Sequence, residues 1–349
     1  MYSVVEGVKV ITKMKKLAVL LPTYNAAAYL TESIDSLLNQ TFADFDLYVY
    51  DDCSTDTTEA VVSSYANARI FFYKNETNLG IAKTLNRGLE ELLPRYEYIA
   101  RMDADDWCFP QRFEKQLLFM NDNPKVILCG TQGYWLKNIR QNPLKGWEYP
   151  TNPEYIRYYL LFAASFGHSS VVFRSQHIID HALRYDETIS TCEDWDLWVR
   201  ISQIGEMANL PDFLMKYRIL ENSNHRSAEK INKHLEERSA IISNYWSCFG
   251  LLFSAEEIFV FYYGKNLIAT AEFNSKIQKL IHACNVIYLK SSAELCVQDR
   301  AMFSYLLARK ILSYWKRSQV SRYNLLIWIK IVSEVRFMKK IKLLKSIIR

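Results

Sequence analysis

The chain has 349 residues, half of them hydrophobic and few of them Gly or Pro, so its composition excludes a disordered protein and allows two domains. The seven cysteines are odd in number and include no CxxC pair, which argues against a disulfide framework and a structural zinc site. The net charge of +5 is uneven, because residues 301–349 hold twelve Lys and Arg but one acid, Glu334.

The first third of the chain alternates between short apolar runs and amphipathic segments. The predicted strands are 16–22, 45–52, 69–75 and 96–103, and the predicted helices between them are 27–40, 54–66 and 80–93. Strands that alternate with helices of this length are typical of βαβ units. The sequence therefore predicts an α/β fold with a mostly parallel sheet that is covered by helices on both faces.

The pattern becomes less regular after residue 110. We predict a helix at 110–122, a strand at 125–136, a loop at 141–155, a strand at 169–174 and a helix at 194–205 that ends at Gly205. From residue 226 to the end, nearly all the sequence is helical in pattern, with very little Gly or Pro. We therefore expect a C-terminal helical region that follows the α/β part.

Polar clusters stand where three of the predicted strands end: "PTYN" (22–25), "DDCSTD" (51–56) and "DADD" (103–106). In an open parallel sheet, ligands bind beyond the carboxyl ends of the strands. The chain has neither GxGxxG nor GxxxxGK[ST], so the Rossmann fingerprint and the P-loop are absent. Any nucleotide is therefore expected to be held by other groups, with carboxylates and a metal ion among them.

The "DADD" segment places Asp103 and Asp105 two positions apart, which puts both carboxylates on one side of an extended chain. Oxygen ligands in this number suit Mg²⁺ or Mn²⁺ shared with substrate phosphates. The alternative is an ordinary acidic turn that caps the helix at Pro110. The position at the end of the fourth strand, beside two other polar strand ends, favours the metal site.

Three segments in this order and spacing closely resemble glycosyltransferase family 2: "LAVLLPTYNAAAYLTESIDSLLNQTFADFDLYVYDDCSTDTT", "NLGIAKTLNRGL" and "YIARMDADD". The resemblance covers roughly residues 16 to 220. It implies the GT-A fold and inverting transfer of a sugar from a nucleotide-diphosphate donor, with UDP-sugars expected, to a glycan or lipid-linked glycan. The implied regions are an N-terminal extension (1–15), a donor-binding subdomain (16–140), an acceptor-binding and catalytic subdomain (141–225), and a helical C-terminal region (226–349).

The resemblance also implies individual roles. The donor-binding residues would be Pro22, Thr23, Tyr24, Asn25, Asp52, Lys83, Asn86, Asp103, Ala104 and Asp105. Asp103 and Asp105 would hold Mg²⁺ or Mn²⁺. For Asn25 and Asp52 the alternative role is a helix cap, and for Asp51 and Asp56 the cap is the preferred role. For Arg87, a solvated basic face explains the residue as well as a donor contact does. We expect Asp106 to cap the next helix or to support the metal ligands.

"TCEDWDLWVR" (191–200) resembles the second acidic motif of the family, in which Asp194 matches the general base. The chemistry needs such a group, because the attacking hydroxyl must lose a proton. The alternative is a run of acids favoured by the positive end of a helix, and this account suits Asp196 better. Glu193, His168 and Trp195 are weaker candidates for the acceptor pocket. In "KYRILENS" (216–223), Leu220 replaces the family's His, Arg218 is a candidate phosphate contact, and His225 lies too far along to substitute.

The C-terminal segment "RFMKKIKLLKSIIR" has an apolar stripe flanked by Lys and Arg, as interfacial helices do. It predicts binding to an anionic membrane, whereas packing on the catalytic body is the alternative and nucleic acid is disfavoured because no recognition motif accompanies the charge. We find neither a membrane-spanning run nor a signal peptide, so we expect a cytoplasmic enzyme, peripheral on the inner face of the membrane. The rival function is a membrane-docked partner protein with a degenerate nucleotide-sugar site.

Overall fold

The computed structural model describes residues 15–137, 145–220 and 228–263. In chain order its strands are β1 (Lys15–Thr23), β2 (Phe45–Asp51), β3 (Ile70–Lys74), β4 (Tyr96–Arg101), β5 (Trp107–Cys108), β6 (Val126–Leu136), β7 (Lys145–Trp147), β8 (Val172–Arg174) and β9 (Glu206–Arg218). The helices are α1 (Ala27–Leu38), α2 (Thr58–Ser63), α3 (Ile81–Leu92), α4 (Arg112–Asp122), α5 (Pro153–Tyr159), α6 (Ser175–Asp180), α7 (Glu193–Ile201), α8 (Ala228–Ser247) and α9 (Ala255–Tyr263).

The first four strands form a wholly parallel block in the order β3-β2-β1-β4. Thr23 pairs with Asp51 and Leu20 with Arg101, so the carboxyl ends of these strands meet at one edge of the sheet. The helices between them connect strands of the same direction, as βαβ units require. This confirms the predicted mostly parallel sheet and brings the polar strand ends together.

The sheet continues beyond β4 with strands of mixed direction. β8 is antiparallel to β4 and to β6, β9 is parallel to β6, and β5 is antiparallel to β9. β7 adds an antiparallel edge to β6. One sheet thus runs through both predicted subdomains, and the boundary at residue 140 stays a prediction.

Helices cover both faces of the sheet, as predicted. Alternate residues of β1 serve the two faces: Leu17, Val19 and Leu21 pack with α1 and α4, whereas Ala18 and Leu20 pack with α3. On α1 the buried Leu30, Ile34 and Leu37 recur at helical spacing. Truncation of such a fully buried side chain to Ala costs about 2–5 kcal/mol of folding stability.

Helix α3 lies unusually close to the sheet because it carries Gly88 at the contact. A Cβ added at this position would collide with the side chain of Leu20, and it would also crowd Tyr50. The missing side chain lets the helix backbone approach the strands. Together with the buried Leu85 and Leu89, this contact sets the position of the N-terminus of α3 beside the strand ends.

The acceptor half contains the main differences from the sequence-based expectations. Strand β9 was not predicted, since Pro211 interrupts it, and its register with β6 shifts at Thr131, Gln132 and Gly133. β7 and the start of α5 lie within the predicted loop 141–155, where Asn152 caps α5 by accepting hydrogen bonds from two backbone N–H groups. Helix α7 ends at Ile201 rather than at Gly205.

The described part of the C-terminal region is helical, as predicted, and consists of α8 and α9. Tyr245 and Trp246 of α8 are buried against the face of the sheet that carries α3 and α7. Among the helices of the described residues, none combines the length and hydropathy needed to cross a membrane. The basic tail, and with it the predicted membrane contact, lies outside the described residues.

Candidate active site

A cavity of about 300 Å³ opens at the carboxyl ends of β1 and β2. Its walls come from three segments of the chain that the sequence had marked as polar or glycine-containing turns. The lining residues are Pro22, Thr23, Tyr24, Asp52, Asn78, Gly80, Ile81 and Thr84. The cavity therefore brings together four of the predicted donor-binding residues, Pro22, Thr23, Tyr24 and Asp52.

Asp52 is buried and organises the wall of this cavity. One carboxylate oxygen accepts hydrogen bonds from the Asn75 side-chain amide and from Leu79 N, each at 2.8 Å, and the other accepts from Gly80 N at 2.9 Å. Gly80 has φ +86°, a conformation that side chains disfavour, so it turns the chain towards Asp52 before α3 begins. Asp52 is thus held rigidly at the cavity wall rather than used as a helix cap.

The loop after β1 is fastened to the loop after β2. Asn25 does not cap α1, because Ala26 occupies that position; instead Asn25 has φ +49° and accepts a hydrogen bond from Thr55 N. The first turn of α1 is capped from the other loop, where Asp56 accepts from Ala27 N at 3.1 Å. These links give Asn25 and Asp56 structural roles and hold Tyr24, which is 47% exposed, at the cavity mouth.

Lys83 and Asn86 lie on α3 but line a different cavity, of about 630 Å³, together with Arg87. The Asn86 amide donates to Tyr185 O at 2.9 Å and accepts from Tyr185 N at 2.9 Å, so it joins α3 to the acceptor half. Lys83 is exposed. Contact of Lys83 and Asn86 with the donor stays a prediction.

The "DADD" turn gathers three carboxylates: oxygen atoms of Asp103, Asp105 and Asp106 lie within 4.8 Å of one another. Burial raises the pKa of Asp105 to about 6, and the charge of Asp103 adds to the rise. Asp106 is fully buried, and its pKa is raised well above the usual range by burial and by the charges of Asp105 and Asp103. The turn therefore concentrates more negative charge than its own surroundings compensate.

The donor set fits a hard divalent cation. Both oxygens of Asp106 accept hydrogen bonds from the protein, one from Arg218 N at 3.0 Å and one from Ser169. Within the described ranges, the Asp105 carboxylate receives no hydrogen bond from another residue, which leaves its oxygens available. Asp105 together with Asp103 is the pair best placed to hold Mg²⁺ or Mn²⁺.

Asp106 corrects one expectation from the sequence. It does not cap the following helix, since α4 begins at Arg112 and its N-cap residue is Gln111. Its contacts with Ser169 and with Arg218 N join the acidic turn to two distant segments, which is the supporting role named as the other possibility. Arg218 also donates through Nε to Asp105 O at 2.9 Å and pairs with Glu32, so its guanidinium braces the turn.

Two important residues of this cluster were not recognised from the sequence. Arg101 is 2% exposed and forms an ion pair with Asp103. Its Nη1 also donates to Ser169 Oγ at 3.0 Å, and Ser169 lies 2.6 Å from Asp103 Oδ2. Arg101 is the last residue of β4 and Ser169 precedes β8, its antiparallel neighbour, so only the folded sheet brings them together.

Asp194 stands in the first turn of α7 and is half-buried. Burial raises its pKa to about 6; the Trp195 N–H, at 2.7 Å, and Arg101 act in the opposite direction, while the charge of Asp103 adds to the rise. A carboxylate of this kind is still ionised at neutral pH but is a stronger base than an exposed Asp. Arg101 acts electrostatically on the acidic turn and on Asp194 alike, so the charge of one buried cation affects both motifs.

The weaker acceptor candidates lie close to Asp194. Burial raises the pKa of Glu193 to about 7, and its Oε1 lies 3.9 Å from His168 Nδ1. Burial lowers the pKa of His168 well below its usual value, so the imidazole is neutral, and its Nε2 is 2.9 Å from the Tyr185 hydroxyl. Trp195 is 5% exposed. Contact of these three residues with an acceptor stays a prediction.

Comparison with known proteins agrees with this arrangement. The family model described as "Glycosyl transferase family 2" matches residues 18–181. A curated relative, the amylovoran biosynthesis glycosyltransferase AmsE of Erwinia amylovora, is 36% identical over 206 residues, which cover 58% of this chain and 75% of the relative. The chain belongs to glycosyltransferase family 2.

Other family members and structures extend the comparison. An uncharacterized glycosyltransferase of Methanocaldococcus jannaschii is 34% identical over 223 residues, covering 62% of this chain and 75% of the relative. The crystal structure of S. aureus TarS 1-349 in complex with UDP-GlcNAc superposes with a TM-score of 0.53 and 21% identity, covering 86% of this chain and 89% of that one. This likeness confirms the predicted GT-A fold.

Proposed function

We propose that this family 2 member is an inverting glycosyltransferase of the hexosyltransferase type, EC 2.4. It transfers a sugar from a nucleotide-diphosphate donor, UDP-linked by preference, to a hydroxyl group of a glycan or lipid-linked glycan. The observation that carries the proposal is the position of Asp194. Asp194 stands in the first turn of α7, where burial raises its pKa to about 6 and where the charges of Arg101 and Asp103 act on it.

The donor nucleoside is assigned to the cavity at Asp52. A carboxylate at its wall suits the N–H and hydroxyl groups of a uracil base or a ribose, because hydrogen bonds to an ionised acceptor are the strong ones. Tyr24 at the mouth offers an aromatic face to a base. That TarS has been crystallised with UDP and with UDP-GlcNAc supports UDP as the nucleotide to test first.

The diphosphate is assigned to the acidic turn through a divalent cation. Asp105 and Asp103 would hold Mg²⁺ or Mn²⁺, and Arg218 and Ser169 keep the turn in place. When bound, the ion neutralises charge on the departing nucleoside diphosphate, which is the chemistry that a Lewis acid supplies. Without it, the carboxylates of the turn would repel the phosphates.

Asp194 then acts on the acceptor. It removes the proton from the attacking hydroxyl while the oxygen displaces the nucleotide from the opposite face of the sugar, so the anomeric configuration inverts. The carboxylate is ionised above pH 6 and is partly withdrawn from water, two conditions that favour proton abstraction. Glu193, with a higher pKa, adds a second proton-binding group next to it.

The biological setting follows from the relatives and the tail. AmsE is described as an amylovoran biosynthesis enzyme, which supports a role in bacterial polysaccharide synthesis. Lipid-linked acceptors reside at membranes, and the twelve basic residues of 301–349 would bring the enzyme to an anionic inner-membrane surface. We therefore propose a cytoplasmic, peripheral location.

A thermal-shift panel of UDP-, GDP- and dTDP-sugars with Mn²⁺ tests the donor. A ligand at 100 times its Kd stabilises the folded protein by about 2.7 kcal/mol, so a true donor raises Tm clearly. We expect a UDP-sugar to raise Tm only with Mn²⁺ present. A panel without any shift would contradict the donor assignment.

The transferase and its rival, a degenerate nucleotide-sugar-binding partner, differ in turnover. We expect Mn²⁺-dependent hydrolysis of the same UDP-sugar, and transfer when a glycan acceptor is added. NMR of the product reports its anomeric configuration, and retention would contradict the inverting mechanism. Donor binding without hydrolysis or transfer would support the rival.

A further inference from the structure

The segment that leads into the catalytic helix is held by a part of the chain outside the family match. Residues 190–192 immediately precede α7, and they contact α8, which begins at Ala228. The family model ends its match at residue 181. The contacts with α8 therefore lie beyond the segment that the family model matches.

Glu237 of α8 receives this segment with both carboxylate oxygens. Oε1 accepts from Ser190 N at 3.0 Å and from Ser190 Oγ at 2.9 Å. Oε2 accepts from Thr191 N at 2.9 Å and from Thr191 Oγ1 at 2.6 Å. Its side chain is 12% exposed. Four donors from two consecutive residues converge on one carboxylate, an arrangement that leaves the segment little freedom to rotate or shift.

The charge of Glu237 is part of this arrangement. Burial alone would raise its pKa, but the hydrogen bonds from Thr191 and Ser190 lower the pKa below the usual range, so the group is ionised. Lys233, one turn earlier, lies 3.9 Å away. Hydrogen bonds to an ionised acceptor are roughly twice as strong as neutral ones.

Two further contacts of α8 continue along the same segment. His234 Nδ1 lies 3.3 Å from the Cys192 sulfur, and the Arg238 guanidinium stacks 4.7 Å from the centre of the Trp195 ring. Residues 190, 191, 192 and 195 thus all contact α8. Asp194 lies in the chain between Cys192 and Trp195, two of the residues that α8 contacts.

The start of α7 has no side-chain cap of its own. Its N-cap residue, Cys192, makes no side-chain capping bond, so the first turn of the helix depends on contacts from elsewhere. The donor cavity, by contrast, is built from residues 22–24, 52 and 78–84, which have no part in this contact. A disturbance at Glu237 should therefore reach the base and leave the donor site intact.

We propose that Glu237 is a positioning residue for catalysis: by holding Ser190 and Thr191 it fixes where Asp194 meets the acceptor hydroxyl. The inference rests on the proposed transfer reaction, in which Asp194 is the base. A displacement of about 1 Å at a reacting group is enough to lower a rate about 100-fold. The loss should appear in kcat, because the group that moves acts in the chemical step.

The kinetic test compares Glu237→Ala and Glu237→Gln with Glu236→Gln, a matched control that removes the same charge from the exposed neighbouring position. With UDP-GlcNAc and Mn²⁺, or whichever UDP-sugar the panel selects, we expect Glu237→Ala to lower the kcat of transfer about 10- to 100-fold. Glu237→Gln, which keeps one acceptor oxygen, should lower it less. Donor KM should change less than twofold in both variants, and Glu236→Gln should match the parent.

Hydrogen exchange followed by mass spectrometry supplies a readout that needs no activity. Glu237→Ala should speed exchange in peptides that cover 190–195 and leave those that cover 49–56 unchanged. If the parent protein transfers no sugar, the proposed function fails. The exchange rates of residues 190–195 would still show whether Glu237 holds Ser190 and Thr191. A kcat like that of Glu236→Gln would overturn the inference, and so would equal loss of kcat, donor affinity and Tm, which indicates general unfolding.

Discussion

Two parts of the candidate site are built in different ways. The donor half is the cavity at Asp52, and the catalytic half is the acidic turn (103–106) with Arg101 and Asp194. At the donor cavity, Asp52 is bonded to residues 75, 79 and 80, all within 28 positions of it. In the catalytic half, Ser169 reaches back 66 positions to Asp103, and Arg218 reaches back 112 positions to Asp106. The first site is a local product of parallel βαβ units, whereas the second is assembled across the whole sheet.

The two halves also differ in how they treat negative charge. The Asp52 carboxylate accepts three hydrogen bonds from its own chain, which fix its position and leave about one of its four lone pairs for a polar group of a nucleoside. Near Arg101, by contrast, burial raises the pKa of both Asp105 and Asp194 to about 6. The catalytic half thus has one carboxylate suited to bind a cation, Asp105, and one suited to take a proton, Asp194.

The largest expected effect is that of Asp194→Asn. The amide cannot take the proton of the acceptor hydroxyl, so kcat of transfer should fall about 100- to 10,000-fold, the range for loss of a general base. UDP-sugar binding, measured by thermal shift, should stay unchanged because the donor half is untouched. Asp196→Asn is the control: Asp196 pairs with Arg200 on the outer side of α7, and its loss should leave transfer within a few-fold. Transfer near the parental rate in Asp194→Asn would remove the base assignment.

Asp105→Asn tests whether the acidic turn binds the divalent cation. The variant should lose the Mn²⁺-dependent rise in Tm and about 100-fold in transfer, because it lacks the carboxylate that receives no hydrogen bond from any other described residue. Without metal it should unfold at a higher temperature than the parent, since one of three mutually repelling carboxylates has been neutralised, a gain of about 1–2 kcal/mol. An undiminished Mn²⁺ shift would place the metal elsewhere.

Asp52→Asn should affect the donor half alone. The amide has one acceptor oxygen in place of two, so an N–H of Leu79 or Gly80 loses its partner at a cost of about 1–3 kcal/mol. We expect donor KM to rise about tenfold or more while kcat at saturating donor falls only a few-fold. Asp44→Asn, on an exposed loop, is the control. A fall in kcat without a rise in KM would break the division between the halves.

The pH dependence of kcat gives the smallest effect. The active form of Asp194 is the carboxylate, and its raised pKa means that the proton is gained as the pH falls through about 6. Transfer should therefore be constant above pH 7 and decline towards tenfold per pH unit below 6. Asp194 interacts electrostatically with six other charged or titratable groups: Arg101, Asp103, Glu193, Cys192, Tyr149 and Tyr185. A rate that stays constant down to pH 4.5 would exclude a base with this pKa.

The sequence by itself determined the parallel block and half of the residues that line the cavity at Asp52. Apolar runs that end in polar turns mark β1, β2 and β4, and the spacing of Leu30, Ile34 and Leu37 marks α1. These signals are local: period-2 and period-3.6 patterns are written within a few residues. Because ligands bind beyond the carboxyl ends of parallel strands, the polar residues that follow β1 and β2 are predicted to share one site.

Only the tertiary structure decided how the catalytic half is assembled. Arg101 is the last residue of a buried strand, Ser169 is one small polar residue among many, and Glu237 is one acid on a charged helix. None has a local pattern that distinguishes it, because the partners of each lie tens of residues away. The same holds for β9, which is recognised as a strand only from its pairing with β6. Side chains whose roles depend on long-range pairing and on shared burial acquire those roles only when the sheet is assembled.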